Sequence, residues 1–341
     1  MISSARGMGG SFLRRAPLRI WAGDDLIYTS LGQTGLNVSA MCMGSLVMGP
    51  AQYNMSIEEG DSLIQHALDW GVNFFDTSEF YGAYPYLRCL SQKKNIIISS
   101  RSYAVSESQM KRSLEIARSE LNRERIEIFG LHEQESGLTL KGHREALEYL
   151  AESREKGIID AVSVSTHYVS CVRSAAMLPE IDVIFAILNM QGLGIADGSR
   201  EDMEEALAFA RYMGKGIYLM KALGGGHLYR QPFEALSYAR DFPHKDSVCV
   251  GVKNEYELEF ACKVLCSEIS TEEIAEAYSI SRSTPKRLVV EKWCEGCGKC
   301  ADKCGFSAIT IVNGKATIDE SRCMLCGYCA RVCPNFCIKV V

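Results

Sequence analysis

The chain has too few of the features that would commit it to a membrane, to nucleic acid or to secretion. No stretch of the 341 residues approaches the roughly 18 consecutive apolar residues that a membrane-spanning helix requires. Charge of one sign is also missing: 37 Lys and Arg stand against 42 Asp and Glu, a net charge of −5 with pI near 5.8. Neither nucleic acid nor an anionic membrane is therefore favoured as a partner. Acidic residues are absent before Asp24, while Arg6, Arg14, Arg15 and Arg19 precede it. No apolar core or cleavage-type segment follows those arginines, so residues 1–24 read as a disordered extension rather than a transit peptide. Paired cysteines spread through a small domain, the mark of a secreted disulfide scaffold, are missing too.

What the chain has is fifteen cysteines placed unevenly. Six are scattered singly: Cys42, Cys89, Cys171, Cys249, Cys262 and Cys266. They sit mostly in apolar stretches and read as buried small hydrophobes of a reduced, cytoplasmic protein. The other nine crowd between Cys294 and Cys337. Cys294, Cys297, Cys300 and Cys304 spell C-x2-C-x2-C-x3-C, and Cys323, Cys326, Cys329 and Cys333 repeat it 29 residues later, with Pro334 following. Three thiolates at intervals of three can wrap three corners of a cubane, and the fourth corner needs a ligand from elsewhere. Zinc competes for paired C-x2-C motifs, but a four-cysteine zinc site gains nothing from the third and fourth cysteines repeated in this way.

Residues 287–341 resemble bacterial-type two-[4Fe–4S] ferredoxin domains on these two motifs, with Gly305 where the family usually has proline. The resemblance implies crossed ligation. One cluster would take Cys294, Cys297, Cys300 and Cys333, and the other Cys304, Cys323, Cys326 and Cys329. Cys337 falls outside both sets and reads as a packing residue. Asn313-Gly314, between short apolar runs, predicts a two-residue hairpin. The segment carries eight Lys and Arg against five Asp and Glu, an excess that offsets cluster charge or guides an acidic electron donor or acceptor protein.

Upstream, strand-like runs at 39–43, 72–75, 95–99, 126–131, 160–165, 182–188, 216–220 and 247–251 alternate with helical periodicity. The Ser56–Glu59 capping box opens the first helix. Eight such strands predict a parallel (β/α)8 TIM barrel over 25–266, followed by a helix and linker over 267–286 and a small α+β domain over 287–341. The alternative, an open doubly wound sheet, lacks a G-x-G-x-x-G after the first strand. Chemistry in a barrel belongs at the C-terminal strand ends. Asp76, Ser78, Tyr81, Arg101, His132, Glu133, Ser165, Thr166, His167, Asn189, Gln191, Lys221, Gly251, Lys253 and Asn254 fall there.

Leu31-Gly32-Gln33-Thr34-Gly35-Leu36, Gly71-Val72-Asn73-Phe74-Phe75-Asp76-Thr77-Ser78 with Tyr81-Gly82, Gly130-Leu131-His132 and Val250-Gly251-Val252-Lys253-Asn254 make this part similar to the aldo-keto reductases. That resemblance implies hydride transfer between NADPH and a small carbonyl or alcohol substrate through an Asp–Tyr–Lys–His tetrad. Asp76, Tyr81 and His132 match three members, and Arg101 stands at the lysine. Met220 stands where an aromatic stacks on the nicotinamide, and Ala186 where a glutamine holds the carboxamide. Ser165 and Thr166 are then expected at the carboxamide, Lys253 and Asn254 at the 2′-phosphate, and Met220, Lys221 and Gly251 along the cofactor. The run Gly224-Gly225-Gly226 leaves backbone open to a cofactor or substrate.

Two enzymatic readings follow. One is an NADP(H)-dependent carbonyl or alcohol oxidoreductase with two [4Fe–4S] clusters. The other is a barrel that holds flavin or an anionic substrate at a cationic mouth (Arg101, His132, His167 and Lys221) and receives single electrons through the clusters. A ferredoxin-like carrier on a degenerate barrel is a third, non-enzymatic reading.

Overall fold

Eight parallel strands close into a barrel in chain order. They are Met41–Gly44, Phe74–Asp76, Ile97–Ser102, Ile126–Leu131, Ile159–Thr166, Val183–Ile187, Gly216–Met220 and Ser247–Val250. The eighth pairs with the first, Val248 opposite Met41, so the sheet has no edge and the open doubly wound alternative is excluded. The computed structural model describes residues 26–50, 52–266 and 269–341, and the extension expected over 1–24 lies outside the described residues. No helix among the described residues is long and apolar enough to cross a membrane.

The local sequence explains the elements. Strand interiors are runs of Val, Ile, Leu and Phe buried on both faces, as a parallel sheet covered by helices demands. Capping boxes at Ser56–Glu59, Ser106–Gln109 and Ser199–Asp202 start the helices Ile57–Asp69, Glu107–Leu121 and Arg200–Tyr212. Parallel register sets Asp76 opposite Ser99, and Arg101 opposite Gly130. Adjacent strands thereby deliver an acid and a base to the same end of the barrel.

Three elements depart from the sequence reading. A hairpin of Tyr28–Ser30 and Asn37–Ser39 precedes the barrel, and Asp246 ties it down by accepting from the backbone N–H groups of Gly32 (3.1 Å) and Ile217 (2.8 Å). A helix, Pro232–Asp241, follows the seventh strand, started by proline in its first turn. The helix expected within 267–286 runs over Thr271–Ser283, so little of that stretch is linker.

Beyond it, Leu288–Val290 pairs with Ile338–Val340, and Ile309–Val312 forms the expected hairpin with Lys315–Ile318. Short helices Lys299–Lys303 and Tyr328–Arg331 each begin after a left-handed glycine, Gly298 and Gly327. This segment lies against the barrel mouth. Phe336 is wholly buried in the barrel's own core. His227 Nε2 is 2.8 Å from the Ile338 carbonyl, Arg331 donates to Gln191 Oε1 (2.8 Å) and Gln52 donates to Glu291 Oε1 (3.2 Å).

The glycine run is what lets the segment in. Gly226 has φ +86°, and a Cβ there would fall on the Val340 carbonyl oxygen. Gly226→Ala is expected to weaken docking by about 1–3 kcal/mol. The check is limited proteolysis, with faster cleavage near Thr284–Lys286 and unchanged protection of the barrel.

Candidate functional site

Four expected side chains converge at the mouth. Arg101 grips Asp76 with both terminal nitrogens, Nη1 to Oδ2 at 2.6 Å and Nη2 to Oδ1 at 2.7 Å. Its Nη2 also donates to the Tyr81 hydroxyl at 3.2 Å. Arg101 is 1% exposed and lies 4.5 Å from the centre of the Phe185 ring, so its charge is carried by Asp76 and two aromatic faces rather than by water. His132 shares a 2.9 Å hydrogen bond through Nδ1 with Ser78 Oγ and stacks on Tyr103 at 4.4 Å. Burial, then the Arg101 and Lys221 cations, hold His132 well below the usual histidine range, so the ring is neutral at pH 7. Burial lifts the Tyr81 phenol above the usual tyrosine range while Arg101 pulls the other way, and the group stays protonated.

Tyr218 is a member of this constellation that the sequence reading left out. Its hydroxyl donates to Asp76 Oδ2 (2.9 Å) and shares a hydrogen bond with Ser99 Oγ (2.8 Å), and its ring stacks on Phe185 at 4.0 Å. The signal was available: Tyr218 and Met220 are two apart on one strand and therefore share a face.

A groove opens from Asp76 and Tyr81 and passes Met220, Gly251 and Lys253 to Asn254 and Lys286, beneath the helix Thr271–Ser283 and the residues Lys339–Val341. Asn254 caps the helix Glu255–Cys266 by accepting from Glu257 N–H (2.9 Å), so that helix start faces the far end of the groove. Lys253 pairs there with Glu257 at 3.2 Å. Burial, then neighbouring Lys253, depress the Lys286 ammonium. Two ammonium groups beside a helix N-terminus fit a phosphate.

Other expected residues are used differently. Ser165 Oγ accepts from Glu133 N–H (2.9 Å), and Thr166 Oγ1 donates to the Gln134 carbonyl (2.6 Å). Both fix the turn after the fourth strand and neither lines the groove. Asn189 is spent on the Leu193 backbone, and Gln191 on Arg331. In the glycine run, Gly225 and Gly226 face Phe336, Lys339 and Val340, and both also line the groove.

The docked segment adds charge that the sequence did not place here. Lys339 and Glu291 are 3% and 2% exposed. Lys221 Nζ lies 2.8 Å from His167 Nε2, and burial, then Lys221, hold His167 neutral. The signal for Lys339 was its position inside the apolar run Ile338–Val341.

Cys294, Cys297, Cys300 and Cys333 line one cavity, although Cys333 belongs to the second motif. Cys304, Cys323 and Cys329 share the segment's small core with Cys294 and Cys300, while Cys326 is exposed. Backbone N–H groups of Ala316, Ala308 and Cys337 point at the sulfurs of Cys294 (3.5 Å), Cys304 (3.3 Å) and Cys333 (3.2 Å). Donors of this kind fit thiolate sulfur that carries cluster charge. Cys337 lines the first cavity without belonging to the repeat. Among the described residues, no three acidic, His or Cys side chains close on a single ion.

The mouth's ion pair yields a direct test. Arg101→Met leaves Asp76 buried and unpaired and is expected to cost about 3–5 kcal/mol of stability. Adding Asp76→Leu should restore most of that loss in a denaturant titration, because the uncompensated charge is then gone.

Comparison with known proteins gives these observations their family. Residues 40–234, more than half of the chain, match the Aldo/keto reductase family, and residues 316–339 match a 4Fe-4S binding domain. Two Pseudomonas aeruginosa structures described as aldo-keto reductases superpose with TM-scores of 0.63 and 0.61 at 23% and 24% identity. They cover 74% and 73% of this chain and 98% and 96% of their own. An aldo-keto reductase from Bacillus halodurans in its holo form gives 0.62 at 14% identity over 75% of this chain and 96% of its own. At such identities the likeness is one of fold.

Curated relatives match over short stretches only. A component of an ion-translocating oxidoreductase complex from Methanosarcina acetivorans is 37% identical over 54 residues. The uncharacterized oxidoreductase YrpG of Bacillus subtilis is 40% identical over 55 residues. Each stretch is 16% of this chain and spans only 20% and 16% of those relatives' own lengths. The chain belongs to the aldo/keto reductase family and carries a 4Fe–4S binding domain beyond its barrel.

Proposed function

We propose that the protein is an NADP(H)-dependent carbonyl or alcohol oxidoreductase. Its barrel over 25–266 would be joined through 267–286 to a domain over 287–341 that holds two [4Fe–4S] clusters. One observation carries the reading. The Tyr81 hydroxyl, held by Arg101 at 3.2 Å, stands at one end of a groove whose other end gathers Lys253, Lys286 and a helix start. A dinucleotide phosphate at the lysine end would bring the reactive ring towards Tyr81.

NADPH, when bound, supplies a hydride to the carbonyl carbon. Tyr81 gives its phenolic proton to the carbonyl oxygen, which completes the alcohol and leaves a phenolate. Arg101 stabilises that phenolate through its existing hydrogen bond, and Asp76 with Tyr218 holds the guanidinium in place. Arginine does not give up a proton, so Arg101 orients and stabilises without relaying. Neutral His132, edge-on to Tyr81 at 5.7 Å, bounds the space for the carbonyl oxygen. Met220 supplies an apolar surface where a stacking ring would otherwise lie.

The second reading, a barrel fed with single electrons, has its own observation. Trp293, next to Cys294, lies 6.0 Å from Phe80, the neighbour of Tyr81. Met324 and Tyr328 stand exposed beside Cys323 and Cys329, where an external donor or acceptor protein would approach. In that reading flavin or the substrate itself occupies the groove.

Titrating anaerobic, cluster-loaded protein with NADPH separates the two. Saturable nicotinamide fluorescence with unbleached clusters is the expected result, and absence of binding would leave the single-electron reading in its place. Tyr81→Phe is expected to lower kcat by about 10²–10⁴ while leaving NADPH affinity unchanged. Because the phenol is the acid and burial raises its pKa, carbonyl reduction should stay flat with pH to about 9 and decline only above the tyrosine range. Cys294→Ser and Cys333→Ser combined should remove about half of the bound iron if ligation crosses between the motifs, because both then serve one cluster, and nearly all of it if each motif holds its own.

A further inference from the structure

Two lysines from opposite ends of the chain meet in the groove. Lys221 ends the seventh barrel strand with φ 59°, and Lys339 belongs to the final strand. Both line the groove that Asp76 and Tyr81 close. Their ammonium groups lie 5.6 Å and 3.7 Å from the centre of the same Phe336 ring. Lys339 donates to the Phe336 carbonyl, and Lys221 contacts His167 at 2.8 Å.

Counter-charge reaches this pair only from a distance: Glu133 and Glu291 act on Lys221, and Glu291 on Lys339. Among the described residues, neither ammonium has a carboxylate within 4.0 Å. Glu133 lies 3.6 Å from His167 instead. Glu291 accepts from Gln52 with one oxygen, and its other oxygen is buried without a partner. Asp76 is already committed to Arg101. Burying an ammonium with no anion in contact is unfavourable, and placing two against one ring adds repulsion: burial, then Lys221, push Lys339 well below the usual lysine range. An anion entering the groove relieves both effects.

We propose that Lys221 and Lys339 form a carboxylate site for the substrate, so that the enzyme acts on an acidic carbonyl compound, such as an oxo acid, or on the corresponding hydroxy acid. The assignment rests on the hydride-transfer reading above. The dinucleotide has its own cationic station at Lys253 and Lys286, at the far end of the groove. Lys221, by contrast, neighbours His167 and acts electrostatically on His132, which places it at the mouth. One of the two substrate-binding groups would then come from the iron–sulfur segment, giving that segment a role in specificity.

The test uses the full-length, cluster-loaded protein and oxalate, a dianion that mimics an oxo acid and takes no hydride. Oxalate binding is followed by calorimetry with NADPH present, and NADPH binding separately by nicotinamide fluorescence. Wild type is expected to bind oxalate, and Lys339→Met to weaken it by about tenfold or more with NADPH affinity unchanged. Lys339→Arg should retain binding. Lys221→Met, which leaves the docked strand untouched, should weaken oxalate as Lys339→Met does. If the Met variants weaken NADPH rather than oxalate, the lysines serve the cofactor diphosphate and the proposal is wrong. NADPH binding without oxalate binding overturns the carboxylate site alone. Oxalate binding without NADPH binding overturns the hydride-transfer reading and leaves the site standing.

Discussion

The bidentate pair between Arg101 and Asp76 is the contact on which the barrel mouth depends. Both carboxylate oxygens and both terminal guanidinium nitrogens are used, and further bonds reach outward to Tyr218 on one side and Tyr81 on the other, while the buried Arg101 Nε has no partner among the described residues. A lysine could make the same charge contact, but as a rotatable point it would not fix a plane. The planar fork fixes one, and the Phe185–Tyr218 stack lies against it. Such a pair adds little stability over a packed apolar alternative, because desolvation consumes most of the Coulomb gain. Its value is directional: it decides where the Tyr81 hydroxyl points and keeps a permanent positive charge beside it.

The second constraint is the seal between the final strand and the barrel. Phe336 enters the barrel's core, and Gly225 and Gly226 leave it room. The last strand pairs with Leu288–Val290, so both ends of the cysteine-rich segment are anchored at the seal. The groove therefore has a wall that the barrel alone cannot supply. Lys286, Lys339 and Val340 line it from outside the barrel.

How far this was legible follows from the range of each signal. Strand and helix periodicity are local, and the eight barrel strands emerge from the sequence to within about two residues at most ends. The acid, tyrosine, arginine and histidine of the mouth were legible because strand ends in a closed parallel barrel share one rim. Tyr218 is harder to see because the family resemblance points to Met220, two residues on. Ser165 and Thr166 show the opposite error. Their position at a strand end is right, but their hydroxyls also hold neighbouring backbone, which no spacing rule reveals. The glycine run reads as space for a ligand; it borders the groove and also makes room for another part of the same chain. The apolar run around Lys339 signals that it is buried, but nothing in it or in Phe336 as sequence says that they cross to the barrel, because docking between segments far apart has no local period.

The docked wall also changes what the proposed clusters must do. Nicotinamide moves two electrons together and each cluster moves one, so direct exchange between them would pass through a poor radical. Electron supply is thus a weak reason for a hydride-transferring barrel to keep the segment. A structural reason is on hand. The segment's core is small, a few apolar side chains packed with the cysteines themselves, and a core of that size needs a staple to hold its shape. Clusters at the two cysteine sets would be that staple. They would hold Leu288–Val290 against Ile338–Val340, and through that pairing hold Lys339 and Phe336 at the groove. Removing the segment would then take away electron carriers and a groove wall in one step, so loss of turnover on truncation would not distinguish between the two roles. Single changes at Trp293 or Lys339 would, because each touches one role while leaving the fold of the segment to the clusters.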